Sequence, residues 1–125
     1  MSIVVICVGA CVGALLRWAL SLWLNQGTVI PFGTLAANLI GCYLIGVAVA
    51  VFQALPHLDA HWRLGIITGF LGALTTFSSF SAEVMAMLEQ QRCWLGFGTA
   101  SMHLFGSLLL TWAGIQTVLF FMTSP

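Results

Sequence analysis

Four long apolar runs separated by short polar connections divide the chain, and the third run is interrupted by hydroxyl groups in its middle. The first run spans about Ile3 to Leu24 and ends at the turn Asn25-Gln26-Gly27. Pro31 and Gly33 precede the second, about Thr34 to Leu55, and Pro56, His57, Asp59, His61 and Arg63 form the most polar connection that follows it. The third extends from about Trp62 to Glu89, and the fourth from about Leu95 to Met122 after Gln90, Gln91 and Arg92, with Trp94 as an interface anchor. Each run reaches the roughly 20 residues that a helix needs to cross a hydrocarbon core. The pattern predicts an all-α membrane protein with four transmembrane helices in a single domain over residues 1–125.

Gly69 to Glu83 is the stretch around which the chain is organised. It starts as an apolar helix, turns polar at Thr75, Thr76, Ser78, Ser79 and Ser81, and resumes apolar character at Val84. The pattern accommodates an uninterrupted helix. It also accommodates a third helix broken near 72–76, because irregular backbone is tolerated in membranes where it lines protein or a cavity. Gly72 permits such a break, and the hydroxyls can satisfy freed backbone groups or an ion.

Composition sharpens this picture. With 61% apolar and 5% charged residues, the chain lacks the surface of a soluble domain, and little length is left outside the bilayer for a separate activity. The first run lacks a basic n-region and contains Arg17, so it reads as a span and not as a signal peptide. Formal charge balances at zero, which argues against nucleic acid as a partner. Cys7, Cys11, Cys42 and Cys93 form no CxxC pair and read as small buried hydrophobes. The few arginines divide almost equally between the two sides, so the positive-inside bias is nearly tied and either orientation can be made.

Several residues carry candidate chemistry, each with a structural alternative beside it. Phe77 and Phe80 share a helical face and could present positive ring edges to a small anion, or simply pack. Thr76, Ser79 and Glu83 form another face, on which Glu83 is either an intramembrane functional carboxylate or a headgroup-reaching side chain. Arg17 either snorkels or attracts anions into a vestibule. Asn38 either holds an anion through its amide hydrogens or fastens span 3 to span 2. His103, Ser107 and Thr111 make one polar stripe on span 4, as path donors or as interhelical hydrogen bonds. Gly9 with Gly13, and Ala10 with Ala14, allow close helix approach in span 1. No hydrolytic, redox or phosphate-loop motif is present, so the chain does not read as an enzyme. Four short helices leave little room for a watery path, which places the polar positions of spans 2 to 4 at an interface between copies.

These residues resemble the Fluc family of fluoride channels, also called CrcB, over essentially the whole chain. The matching pieces are Gly13 to Arg17, Gly33 to Gly41, Gly69 to Glu83 and Gly106-Ser107, of which the run Thr75 to Ser81 is the most specific. The resemblance implies an antiparallel, dual-topology homodimer in the bacterial inner membrane, surrounded by membrane lipid. It implies two pores for passive export of cytoplasmic fluoride, conferring fluoride resistance. Asn38, Phe77, Phe80, Ser107 and Thr111 would line the pore, and Arg17 would stand at a vestibule. Thr76, Ser79 and Glu83 would lend polar support. Backbone carbonyls matching Gly72 and Thr75 from both subunits would hold a central structural sodium ion (Na+). Ser79 stands where the family commonly has threonine, Ala73 where it often has a second glycine, and His103 is left as structural. The competing reading is a small dual-topology, proton-coupled exporter of organic cations, for which Glu83 is the available carboxylate.

Overall fold

A computed structural model describes residues 1–124. Four spans traverse it: α1 (Ser2–Leu24), α2 (Phe32–Ala54), a segmented third span, and α6 (Cys93–Thr123). The third span comprises a single turn, α3 (Ala60–Arg63), a π-helix over Leu64–Leu71, the short α4 (Gly72–Leu74), and α5 (Phe77–Glu89). The four helices are long and apolar enough to cross a membrane, and the protein is a multi-pass membrane protein.

The connections are closed by local chemistry. Gly27 adopts φ +69°, a left-handed geometry that costs glycine little, and the Asn25 side chain accepts the Gly33 N–H at 2.6 Å to tie the loop to the start of α2. Asp59 caps α3 by accepting the His61 N–H at 2.8 Å, and that bond, with a second from the His61 ring, holds the exposed Asp59 carboxyl below its ordinary range. The 1–2 and 3–4 connections meet at one end, where Asn25, Thr28, Gln90 and Arg92 border one cleft.

α2 is the centre of the bundle. It buries residues along its whole length, from Gly33 to Phe52, whereas α1 buries only Gly13. The core gathers Ala37, Ala48 and Phe52 of α2 against Leu71 and Leu74 of the third span. Outward positions such as Trp18, Phe97, Phe105 and Phe120 are exposed apolar surface suited to lipid tails.

Glycine seams set the helix spacing, because apolar side chains gain nothing by leaving lipid for one another. A Cβ on Gly9 would collide with the Gly65 carbonyl of the π-helix, and one on Gly13 with the Phe70 carbonyl. The α2–α6 seam is equally close: a Cβ on Gly46 would strike the Thr111 carbonyl, and one on Gly114 the Tyr43 carbonyl. Tyr43 also donates to Thr117 Oγ1 across this seam at 3.0 Å. Gly114→Val is therefore expected to destabilise the folded protein by about 1–3 kcal/mol or more, as overpacking against backbone does. Thermal unfolding in detergent checks this, with Gly98→Ala as the control, since a Cβ at Gly98 meets nothing within 4 Å.

Candidate functional site

The break is built by two threonines. The Thr75 N–H and hydroxyl both donate to the Leu71 carbonyl, at 3.0 and 2.9 Å, closing the first half of the span. Thr75 (φ −85°, ψ 152°) and Thr76 (φ −150°, ψ 122°) are then extended, a conformation that suits β-branched residues. Gly72 itself is helical, at φ −61° and ψ −33°, so the interruption lies beyond it and needs no glycine freedom.

A break inside a membrane leaves backbone groups without helical partners, and such groups are costly there. One side chain of α2 answers most of this need. Asn38 Oδ1 accepts the Thr76 N–H at 2.7 Å, and Asn38 Nδ2 donates to the Thr76 carbonyl at 3.0 Å, much as a neighbouring strand would. Arg17 Nε donates to the Ala73 carbonyl at 3.0 Å from the α1 side. Thr76 Oγ1 then accepts the Ser79 N–H at 3.1 Å, which caps α5 and restarts the helix. The first-turn N–H groups of α5 carry partial positive charge at this point.

Beside the break lies a groove of about 340 Å³, lined by Asn38, Cys42, Thr75, Thr76, Phe77, Phe80, His103, Leu104, Ser107, Leu108 and Thr111. Phe77 and Phe80 meet edge to face, with ring centroids 5.4 Å apart and planes at 76°. Phe80 stacks on the His103 ring at 4.4 Å and 28°. His103 is only 4% exposed, and its Nδ1 lies 3.0 Å from Asn38 Nδ2. Thr111 Oγ1 donates to the Ser107 carbonyl at 2.9 Å, the usual way a hydroxyl is satisfied inside a membrane helix. Phe77 remains 78% exposed, and Leu104 and Leu108 are also exposed, so one flank of the groove is uncovered in a single chain.

Of the residues singled out in the sequence, Asn38, Thr75, Thr76, Phe77, Phe80, Ser107 and Thr111 converge on this groove. Arg17 and Gly72 lie at the break outside it, and Ser79 contributes its backbone N–H to the cap. Glu83 borders a separate cleft of about 200 Å³ at the end of the bundle near Arg92. Thr34 Oγ1 donates to Glu83 Oε1, and Oε2 is buried with no partner among the described residues. His103 is the residue that sequence reading left without a task. Its place on the Ser107–Thr111 stripe is visible in the sequence, but its contact with Asn38 spans 65 positions and is a tertiary fact.

A family model described as CrcB-like protein, Camphor Resistance (CrcB), matches residues 4–115, a range that contains every groove residue. The chain belongs to the CrcB family. Among CrcB relatives, the Fluoride-specific ion channel FluC of Albidiferax ferrireducens is 72% identical over 120 residues, covering 96% of this chain and 92% of the relative. The protein of the same name from Paracidovorax citrulli is 62% identical over 98% of this chain and 97% of its own length. That of Variovorax paradoxus is 59% identical over 94% of each. These CrcB relatives are named as ion channels and not as enzymes.

Proposed function

We propose that the protein is a passive, fluoride-selective anion channel that exports cytoplasmic fluoride through two pores of an antiparallel homodimer. The observation that carries this reading is the convergence of the Phe77–Phe80 pair and the Ser107 and Thr111 hydroxyls on one groove at a helix break. Fluoride is strongly hydrated, so a path must replace water with several weak donors and still release the ion at each end. Ring edges and the Ser107 hydroxyl are such donors, and the α5 N-terminus adds a favourable potential. Asn38 lines the path, and its amide oxygen and nitrogen both bond the Thr76 backbone, so it serves the anion by holding the break open.

The uncovered flank of the groove is where a second copy would close the path. Antiparallel pairing also agrees with the even distribution of arginines, which leaves both orientations accessible. Thr76 and Ser79 support the path by capping α5, Glu83 lends polar support from the neighbouring cleft, and Arg17 stands at a vestibule.

The donor set at the break suits a structural sodium ion. Thr76, the residue that would donate to the Gly72 carbonyl in a continuous helix, donates to Asn38 instead, so the Gly72 carbonyl is released. Thr75 is extended, which takes its carbonyl out of the helical ladder. Gly72 is exposed, and a Cβ there would meet only the Ile67 carbonyl at 3.5 Å. Hard carbonyl oxygens match a hard cation, and two copies would supply four of them. Bound there, the ion would join the subunits and make the local potential more favourable to anions.

Fluoride efflux from proteoliposomes without a pH gradient tests the mechanism. Downhill efflux that stops at electrochemical equilibrium is expected. A requirement for a proton gradient, or transport of organic cations in place of fluoride, would move the chemistry to Glu83 and overturn the channel reading.

A further inference from the structure

We propose that His103 is a positioning residue that holds Asn38, and through it the helix break, by accepting an amide hydrogen on Nδ1. The proposal rests on the fluoride-channel reading for its functional consequence, but the contact itself follows from geometry. Thr76 fixes the orientation of the Asn38 amide: the oxygen must face the Thr76 N–H, and the nitrogen must face the Thr76 carbonyl. The nitrogen is therefore what lies 3.0 Å from His103 Nδ1. An amide nitrogen donates and does not accept, so Nδ1 must be unprotonated. The neutral ring then carries its proton on Nε2, a buried atom with no partner among the described residues.

The same ring stacks on Phe80. His103 thus joins the two devices of the groove, the Asn38–Thr76 pairing and the aromatic pair, through one rigid side chain. Removing its acceptor leaves an amide hydrogen of Asn38 buried and unpaired, with Asn38 free to turn away from Thr76. The expected consequence is efflux slower by about tenfold or more, the scale set by an unsatisfied buried donor.

Two measurements decide this in the intact protein. Nitrogen-15 NMR of histidine-labelled protein at neutral pH is expected to show the His103 proton on Nε2 and an unprotonated, hydrogen-bonded Nδ1. His103→Asn, assigned from the loss of its signal, also offers an amide oxygen near the place of Nδ1. Both variants lose the stack on Phe80, so His103→Asn is expected to slow fluoride efflux by about two- to tenfold, and His103→Leu by about a further tenfold. A proton on Nδ1, equal losses in the two variants, or efflux within twofold of the parent in His103→Leu would overturn the proposal. If His103→Leu does not assemble, the position of the proton decides alone. If the parent protein passes no fluoride, the channel reading fails, while the tautomer still tests the contact with Asn38.

Discussion

Asn38→Asp is expected to abolish most fluoride efflux from proteoliposomes while the protein remains folded. The substitution preserves shape and the bond from the Thr76 N–H to Oδ1, but it replaces the donating nitrogen by an oxygen. That oxygen would face the Thr76 carbonyl, another acceptor, where Asn38 donates at 3.0 Å, whereas the His103 ring can move its proton to Nδ1 and donate to the new oxygen. Leaving the buried Thr76 carbonyl unpaired costs about 1–3 kcal/mol. If that cost falls on the conducting arrangement, efflux slows by about 5-fold to about 150-fold. A carboxylate beside the path would repel an anion as well. Efflux within threefold of the parent would show that the Asn38–Thr76 pairing does not shape the path.

Phe80→Ile is the second large effect. Isoleucine approaches phenylalanine in apolar character but has no ring edge and cannot stack. The change removes the edge-to-face contact with Phe77 at 5.4 Å and the stack on His103 at 4.4 Å. Two such contacts are worth about 1–3 kcal/mol beyond burial, which corresponds to a loss of about 5- to 150-fold in efflux. Phe77→Ile disturbs a single chain less, because the Phe77 side chain is largely exposed there. Equal fluoride efflux in Phe80→Ile and the parent would return both rings to a packing role.

Much of this architecture is legible in the sequence because a bilayer leaves few choices. Apolar runs of sufficient length must be helices, and a cluster of hydroxyls inside one must be satisfied internally. The groove residues of α5 and α6 could be named for the same reason, since polar and aromatic positions at helical spacing stand out against lipid-facing sequence. The exact site of the break could not. Gly72 advertises backbone freedom yet stays helical, while the extended residues are Thr75 and Thr76, whose deciding partner Asn38 lies 38 positions away. The π-helix over Leu64–Leu71 was equally hidden. Its sequence, LGIITGFL, has no mark that separates i→i+5 from i→i+4 bonding, and its glycines serve close contact with α1. His103 escaped because a lone histidine on a polar stripe says nothing about which nitrogen meets which neighbour.

The most direct test of the account is the comparison of fluoride and chloride efflux from liposomes containing the purified protein, under equal gradients. Rapid fluoride efflux with chloride no faster than from protein-free liposomes is the predicted result. Comparable fluoride and chloride efflux, or no fluoride efflux from a correctly folded protein, would contradict it.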